Sequence, residues 1–424
     1  MLDLNFIRQH PDKVKKACQD KGLDKKVVDI DHLLRLDEER KKLTISVQNI
    51  RQQRNTLIAN LKGKPSQNKI NEGKKLKTEL NQKEEELTKV EQKLNNLLKL
   101  VPNIPAEDVP VGKTAEIVRK WGNLPKFNFP IKDHIQLAKD LDLIDFERGS
   151  KIAGFRGYFL KNEAVLLHLA LINWALGKMI AKGFKPFSTP TVVKKECFYY
   201  TGHFPWGEKE AYHLESEKDY CLTGTAEVPM LAYHSNEVLL EKDLPLQYVA
   251  FSPCFRREIG SYGKDTKGIY RLHEFLKIEQ IIICKNDWQE SAMWLEDLAK
   301  NSEELLRELN LPYRVCLMPT QDMGEPQIKK YDIEAWMPGR NEYGEVMSDS
   351  MMGEFQARRA NIKYQTSASE KLYVHTLNNT AIASPRILIA ILENNQQQDG
   401  SIKIPKVLQK YIGKEVIKPT NQKS

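Results

Sequence analysis

Paired cysteines are missing from this 424-residue chain. Its six cysteines are widely scattered and none forms a C-x-x-C pair, which argues against both a zinc site and a disulfide framework. The pattern is typical of a protein from a reducing compartment, and we expect a cytoplasmic location. The cysteines are Cys18, Cys197, Cys221, Cys254, Cys284 and Cys316.

Long hydrophobic runs are absent as well. The opening stretch, MLDLNFIRQHPDKVKK, has early acids and lacks the apolar segment of a signal peptide. The most apolar helical stretch, 164–176, contains His168 and Asn173 and is shorter than the roughly 20 residues that span a bilayer. We therefore predict a buried helix there and no association with a membrane.

Glycine-rich phosphate motifs are the third absence, since neither G-x-G-x-x-G nor a P-loop occurs. Strand signals cluster over 212–284 and 313–349. Together these features favour an α+β domain around a largely antiparallel sheet over a doubly wound one. The content of 41% apolar and 29% charged residues is ordinary, and the net charge of +8 slightly favours a polyanionic partner.

Apolar heptads predict a helical hairpin near the N-terminus. Two runs, 36–61 and 76–101, carry apolar residues at positions a and d, and residues 62–69 between them contain Gly63 and Pro65, which end helices. Two apolar seams joined by a short turn predict an antiparallel coiled coil. The seam residues are Leu36, Leu43, Val47, Ile50, Leu57 and Leu61, then Leu76, Leu80, Leu87, Val90, Leu94, Leu97 and Val101.

Positive charge is concentrated on this hairpin. Residues 37–99 hold 15 Lys and Arg against 9 Asp and Glu, which accounts for six of the eight net charges. Two interpretations fit: a solvated or oligomerising coiled coil, and an arm that binds a nucleic-acid backbone. The pattern alone leaves both open.

Five prolines over 102–130 predict an irregular linker. We therefore expect an N-terminal domain at 1–101 with its coiled-coil hairpin, a linker at 102–130, and a larger α+β domain at 131–424. The prolines are Pro102, Pro105, Pro110, Pro125 and Pro130.

Ionisable residues crowd a segment that is otherwise typical of two strands around a loop, CFRREIGSYGKDTKGIYRLHEFLKIEQ (254–280). Strand side chains alternate between faces, so the even positions of 269–281 are expected to meet the core. Arg271, Phe275 and Glu279 then share the opposite face. In the preceding strand Arg256 and Glu258 share a face. If the strands pair, these five side chains form one ligand-binding surface.

A surface lattice of ion pairs would show a similar pattern. The same alternation places Arg257 and Glu274 on the other face, where they are not expected to contact the ligand. The intervening segment, 259–268, is rich in glycine and lysine, which predicts a flexible, basic loop that suits a phosphate-bearing ligand. Its relevant residues are Gly260, Gly263, Lys264, Lys267 and Gly268.

Two further segments place polar groups at strand positions. In YCLTGTAEVP (220–229) Thr225 and Glu227 lie two positions apart and point to the same face of a predicted strand. In YGEVMSDS (343–350) Glu345 and Ser348 do not point to the same face, so a bulge or a strand end is needed for both to reach one ligand. Such oxygen ligands suit Mg²⁺ held together with nucleotide phosphates. A solvent-facing strand end is the alternative for the first segment.

A strand of small residues followed by an apolar helix is predicted in HTLNNTAIASPRILIAILEN (375–394). Pro385 fits the first turn of a helix. Arg386 would lie beside the helix N-terminus, where two positive features can bind an anion. An ordinary exposed arginine at a helix start is the alternative.

Taken together, these segments resemble the class II aminoacyl-tRNA synthetases, and among them the seryl-tRNA synthetases of the bacterial type. The segment CFRREIGSYGKDTKGIYRLHEF resembles motif 2 of that class, KGFKPFSTPTVV (182–193), with Pro190, resembles motif 1, and TAIASPRILIAILEN resembles motif 3. The segment LTGTAEVP resembles the serine-binding segment. The resemblance covers nearly the whole chain, including the hairpin, and implies a class II catalytic domain with a tRNA-binding arm.

The resemblance implies how ATP is held. Arg256 is expected to bridge the α-phosphate and the serine carboxylate, Glu258 to accept from the adenine amino group, and Phe275 to stack on the adenine. Arg271 and Arg386 are expected to hold the triphosphate, and with Arg256 they form the implied catalytic set. The implied ATP-binding residues are Arg256, Arg257, Glu258, Arg271, Phe275, Glu345, Val346, Met347, Ser348 and Arg386.

The resemblance also implies the amino-acid and metal sites. The implied serine-binding residues are Thr225, Ala226, Glu227, Arg256, Glu279 and Thr380, with Glu279 accepting from the ammonium or the hydroxyl. Glu345 and Ser348 are expected to ligate Mg²⁺. Two residues depart from the usual family pattern. Thr380 stands where many relatives have serine, and Asp349, where they have cysteine, either alters the metal site or points away from it.

The implied reaction has two steps: ATP and L-serine give seryl-adenylate and pyrophosphate, and the seryl group then passes to tRNA(Ser), and to tRNA(Sec) in hosts that have one. The implied assembly is a homodimer built on motif 1. Two alternative functions predict that certain residues are absent. A non-catalytic tRNA-binding paralogue is expected to have lost phosphate-binding arginines, and a ligase that loads a carrier protein is expected to lack the arm.

Overall fold

The computed structural model describes residues 1–60, 66–215, 219–259 and 267–419. Two compact units divide the chain, at residues 1–102 and 103–424. The seam residue Leu61, the first part of the predicted turn and most of the predicted glycine-rich loop lie outside the described residues.

Four helices build the first unit, and two of them form the predicted hairpin. The long helices α3 and α4 pack through a seam in which Val47, Ile50 and Leu80 are buried, with Leu76 and Leu87 beside them. Helix α4 begins at Gln67, so residues 67–69, predicted as turn, are helical instead. The helices are α1 (Leu4–Gln9), α2 (Pro11–Asp20), α3 (Ile30–Ala59) and α4 (Gln67–Leu98).

Nine further α-helices lie in the described part of the second unit. They are α5 (His134–Asp140), α6 (Phe146–Ala153), α7 (Glu163–Ala181), α8 (Lys195–Thr201), α9 (Glu227–Tyr233), α10 (Trp288–Glu308), α11 (Phe355–Ala360), α12 (Ser384–Asn394) and α13 (Lys406–Ile412). By length and composition α7 could cross a membrane, but half of it is buried inside the fold, as in the core helix of a globular domain. The predicted buried helix is therefore present.

Eighteen strands are described in the same unit. They are β1 (Glu116–Trp121), β2 (Ile144–Asp145), β3 (Phe159–Leu160), β4 (Lys185–Ser188), β5 (Val192–Lys194), β6 (Tyr212–Leu214), β7 (Tyr220–Leu222), β8 (Val238–Leu240), β9 (Leu246–Phe255), β10 (Glu274–Cys284), β11 (Tyr313–Leu317), β12 (Lys329–Met337), β13 (Glu342–Gly353), β14 (Lys363–Gln365), β15 (Lys371–Tyr373), β16 (His375–Ala383), β17 (Ile402–Lys403) and β18 (Val416–Ile417).

Eight of these strands form the central sheet, in the order β1-β11-β12-β13-β16-β10-β9-β4. All neighbouring pairs are antiparallel except β4 with β9. The predicted α+β fold with a mainly antiparallel sheet is confirmed. The irregular linker is corrected, because β1 lies within 102–130 and forms an edge of this sheet. Its five prolines fall outside the strand, where no ladder hydrogen bond is lost.

Alternation along β10 gives the sheet two different faces. The even residues Ile278 and Ile282 join the large core formed with α7, α10 and α12, as predicted. The odd residues Ile281 and Ile283 join a second apolar cluster with α9 and α11. Nearer the start of β10 the odd face carries Phe275, Lys277 and Glu279, which line a polar cavity instead.

Candidate active site

A cavity of about 250 Å³ lies over the odd face of β10. Residues from β10, β13, β16 and the start of α12 line it. Of the predicted site residues, Ala226 lies outside this lining in an apolar cluster, and Arg257 lies outside it on the exposed surface. The predicted residues that do line the cavity are Thr225, Glu227, Arg256, Glu258, Arg271, Phe275, Glu279, Glu345, Val346, Met347, Ser348, Thr380 and Arg386.

The two strands are shorter than the sequence predicted. Strand β9 ends at Phe255 and β10 begins at Glu274, so Arg256, Glu258 and Arg271 lie in the connection between them. Glu258 has a φ of 52°, a left-handed conformation that ends strand alternation. The alternation of strand side chains therefore does not apply to these three residues, although all of them reach the cavity.

A hydrogen-bonded extension of the hairpin positions Arg256. Its backbone N–H donates to the His273 carbonyl at 2.9 Å, and its own carbonyl lies 3.0 Å from His273 Nδ1. The Arg256 side chain donates from Nε to the Gly224 carbonyl at 3.1 Å and lies 5.4 Å from the centre of the Phe275 ring. These contacts fix the guanidinium at the junction of three segments.

The segment with Thr225 and Glu227 was predicted as a strand, which is wrong. Strand β7 ends at Leu222, and Glu227 is the first residue of α9. The turn between them is closed by hydrogen bonds, since Thr223 Oγ1 donates to the Thr225 carbonyl at 2.7 Å and the Glu227 N–H donates to Thr225 Oγ1 at 3.3 Å. Both side chains line the cavity from a turn and a helix start.

Two buried carboxylates lie at this end of the cavity. Glu227 accepts from Gln356 Nε2 at 2.6 Å, and Glu279 lies 2.5 Å from Lys277 Nζ. Burial raises the pKa of both Glu227 and Glu279, and the neighbouring cations Lys277 and Arg256 oppose that effect. The cavity therefore presents anionic oxygens whose charge depends on cationic neighbours.

Glu258 is held by arginines in this structure. Arg271 Nη1 lies 3.0 Å from Glu258 Oε2, and Arg156 Nη1 lies 3.9 Å from the same oxygen. The Glu258 side chain is 11% exposed. A ligand amino group that uses this carboxylate as an acceptor would therefore share it with Arg271.

The start of α12 carries Arg386 into the cavity, as the sequence predicted. Pro385 occupies the first helical turn. Arg386 Nη1 lies 3.1 Å from Glu345 Oε2, and its guanidinium lies 4.6 Å from the centre of the Tyr270 ring. Burial acts to raise the pKa of Glu345, but Arg386 and Lys330 outweigh it, so the pKa lies below its ordinary value.

A bulge lies between Glu345 and Ser348, which is one of the two arrangements that the sequence left open. Ile333 of β12 pairs with Met347 of β13, and the next residue, Glu334, pairs with Glu345. Strand β13 therefore has one extra residue at this point, Val346. The bulge brings Glu345 and Ser348 to the same cavity. Asp349, on the next position, lies outside the lining and pairs in register with Asn379.

The oxygen donors of β13 fit a magnesium ion that arrives with a nucleotide. Within the described ranges no group of three or more His, Cys, Asp and Glu residues could hold a metal by itself. Glu345 and Ser348 supply one carboxylate and one hydroxyl, and Mg²⁺ typically takes one or two protein carboxylates together with phosphate oxygens. Asp332 adds a buried carboxylate whose Oδ1 has no hydrogen-bond partner within the described part of the chain.

Several cavity residues were missed from the sequence. Lys277 shares the odd face of β10 with Phe275 and Glu279, so the alternation used for those two residues already indicated it. Lys330 and Gln327 approach from a strand and a turn that carried no motif, and His203 lies in the segment GHFP. No local signal pointed to Lys330 or Gln327, whereas GHFP (202–205), which contains His203, resembles a segment of the seryl-tRNA synthetases.

Comparison with known proteins identifies the family. A family model described as the seryl-tRNA synthetase N-terminal domain matches residues 1–105, and one described as the class II tRNA synthetase core domain (G, H, P, S and T) matches residues 212–395. The serine–tRNA ligase of Deinococcus radiodurans is 41% identical over 97% of this chain and 98% of its own length. That of Treponema denticola is 43% identical over 97% and 99%.

Solved structures give the same result. Seryl-tRNA synthetase from Pyrococcus horikoshii, complexed with ATP, matches with a TM-score of 0.92 at 39% identity, covering 99% of this chain and 100% of that one. The cytoplasmic serine–tRNA ligase of Naegleria fowleri, in complex with AMP, matches with a TM-score of 0.88 at 31% identity, covering 99% of both chains. The chain therefore belongs to the seryl-tRNA synthetase family of class II aminoacyl-tRNA synthetases.

Proposed function

We propose that this chain activates L-serine with ATP to seryl-adenylate and transfers the seryl group to tRNA(Ser), and to tRNA(Sec) in hosts that have one. One observation carries the proposal. A single cavity has buried carboxylates and threonine hydroxyls at one end, arginines and an aromatic ring at the other, and Arg256 between them. An amino acid and a nucleotide can therefore be held side by side.

The amino-acid end suits a serine zwitterion. Arg256 binds the carboxylate through its guanidinium fork. Glu227 accepts the α-ammonium, because its closest partner is the neutral amide of Gln356. Glu279 already has a lysine cation 2.5 Å away, so a second cation there is repelled and the side-chain hydroxyl is the better partner. Thr225 and Thr380 complete this end.

The nucleotide end suits ATP. Arg271 and Arg386 bind the phosphates, and Phe275 supplies a face for the adenine. Glu258 accepts from the adenine amino group and shares its carboxylate with Arg271. Glu345 and Ser348 would hold Mg²⁺, which when bound neutralises charge on the phosphate oxygens. Val346 and Met347 line the wall between those two ligands.

The first step needs no protein nucleophile. The serine carboxylate oxygen attacks the α-phosphorus, a new P–O bond forms, and the bond to the pyrophosphate oxygen breaks. Arg256 touches both reacting groups, so it aligns them and stabilises the charge that develops on the α-phosphate. In the second step a terminal ribose hydroxyl of the tRNA attacks the seryl carbonyl and AMP leaves.

The remaining partners follow from the surfaces of the two units. The helical hairpin of unit 1 binds tRNA through exposed lysines, by contacts with the RNA backbone and its shape. The face of α7 with Val165, Leu166 and Leu169 is apolar and exposed, and it serves a homodimer interface. A cytoplasmic location accords with six free cysteines.

Serine-dependent exchange of pyrophosphate into ATP tests the proposal. The purified chain is expected to exchange with serine and Mg²⁺, and to discriminate by orders of magnitude against alanine, which leaves buried polar groups unpaired. Equal exchange with alanine or threonine would refute the assigned substrate. Charging of tRNA(Ser) transcript with radiolabelled serine tests the second step.

A further inference from the structure

Lys277 lies at the centre of the amino-acid end of the cavity. Its side chain is 5% exposed and that of Glu279 is 3% exposed. The ammonium lies 2.5 Å from Glu279 Oε2 and donates to Thr225 Oγ1 at 2.7 Å. It thus joins two of the proposed serine-binding residues, which are 54 positions apart in the sequence.

Lys277 and Glu279 do not use all of their hydrogen-bonding groups within the described part of the chain. A lysine ammonium has three N–H donors, and in the described part of the chain two of them have acceptors. Glu279 Oε2 receives Lys277 and the Thr380 hydroxyl, the latter at 3.3 Å. Glu279 Oε1 receives no hydrogen bond from any described residue. One N–H of Lys277 and one oxygen of Glu279 therefore have no hydrogen-bond partner among the described residues, and both side chains line the cavity.

A hydroxyl group is the chemical match for that combination, since it donates one hydrogen bond and accepts others. An ammonium would meet Lys277 as a like charge, and a methyl group would leave both protein groups unpaired. The charge of Lys277 also decides which of the two carboxylates remains for the α-ammonium. Glu227, whose nearest donor is an amide, is the one without a lysine at contact distance.

We propose that Lys277 determines specificity for a β-hydroxyl amino acid: its ammonium, fixed by Glu279 and Thr225, donates to the substrate hydroxyl while Glu279 accepts from it. The inference rests on the proposed function, because it names a recognition group of the same site. A purely structural ion pair would stabilise the cavity equally for every amino acid, so the two roles differ in what they do to substrate preference.

The test compares Lys277→Met and Lys277→Gln with the unchanged enzyme in pyrophosphate exchange, after ATP binding has shown that each variant is folded. The value of kcat/KM is measured for serine, alanine and 2,3-diaminopropionate, which has an ammonium in place of the hydroxyl. We expect serine to lose about 10- to 150-fold and alanine less than about threefold. Diaminopropionate is expected to gain relative to serine in Lys277→Met, because Glu279 is then an uncompensated carboxylate.

Lys285→Met is the matched control, since Lys285 directly follows β10 and lies 3.4 Å from Glu241, outside the cavity. It is expected to leave all three substrates unchanged. The inference is overturned if a folded Lys277 variant loses serine and alanine by the same factor, keeps full serine activity, or gives diaminopropionate no relative gain. Lack of serine-dependent exchange by the unchanged enzyme would instead refute the proposed function, so the two failures are distinguishable.

Discussion

Arg386 contacts Glu345 twice, by donating from Nη1 to its carbonyl at 3.0 Å and by pairing with its carboxylate at 3.1 Å. The first residues of α12 are thereby tied to the strand next to the β13 bulge. Arg386 Nε also donates to the Tyr270 carbonyl at 3.0 Å. One guanidinium thus fixes three segments of the nucleotide end of the cavity before any ligand is bound.

Replacing Arg386 with glutamine is expected to reduce serine-dependent exchange by about 100-fold or more, because a positive charge facing phosphate oxygens is lost. Arg340→Gln is the matched control. The Arg340 guanidinium lies 4.4 Å from the centre of the same Tyr270 ring but pairs with Glu342, outside the cavity. The prediction is wrong if both variants lose similar activity, since shared packing on Tyr270 would then explain the effect.

The sequence predicted the site best where alternation within one strand was sufficient. Phe275 and Glu279 share a face of β10, and the same rule extends to Lys277. The need for a bulge or a strand end between Glu345 and Ser348 also followed from alternation, since in a regular strand the two side chains point to opposite faces.

Contacts between distant segments were beyond local reasoning. The turn that ends at Glu227 depends on hydrogen bonds among threonines, and Gln356, which holds Glu227, comes from 129 residues away. The prolines on either side of β1 made this segment look like an irregular linker in the sequence. The strand forms because β11 offers an unpaired edge. A short stretch of sequence identifies neither the distant residue that binds a buried carboxylate nor the strand that pairs at the edge of a sheet.

Asp349 gives a prediction about pH. Its side chain is fully buried, and neither carboxylate oxygen has a hydrogen-bond partner among the described residues. Burial raises its pKa well above the ordinary value. In the unfolded chain Asp349 ionises at its ordinary pKa, so the raised folded pKa costs stability as pH rises above that value. Asp349→Asn removes this cost.

The asparagine variant is therefore expected to be more stable than the unchanged protein at pH 8, by about 1–3 kcal/mol, and to lose this advantage near pH 4. Thermal unfolding at both pH values measures the difference. A pH-independent difference in Tm would show that the substitution acts through packing rather than through ionisation.

Shortening the hairpin separates the two steps of the reaction. Arg51 pairs with Glu84 across the coiled coil at 2.7 Å, so residues 44 and 91, seven positions nearer the base on each helix, also face each other. Replacing 45–90 with a short Gly-Ser turn removes the apolar cluster at Val47, Ile50 and Leu80 as a whole. Exchange is expected to stay within about twofold, because the whole cavity lies in unit 2.

Charging of tRNA(Ser) by the shortened chain is expected to fall by about 1,000-fold, because the backbone contacts of the arm are lost. Aminoacylation with saturating serine and ATP measures it. Undiminished charging would refute the role of the hairpin in tRNA binding, and a parallel loss of exchange would show that the deletion had damaged unit 2.

Three lysines near the start of α4 test the same surface without a deletion. Lys74, Lys75 and Lys77 are exposed, and none has an ion-pair partner among the described residues. Changing all three to alanine is expected to lower kcat/KM for tRNA(Ser) by about tenfold or more and to flatten its dependence on salt by roughly two units of slope, because fewer counterions are released. Lys89→Ala is the control, since Lys89 is exposed on the same helix but pairs with Glu85 at 2.6 Å. If Lys89→Ala changes the salt slope by about one third of the change in the triple variant, the effect comes from net charge and not from contacts at this position.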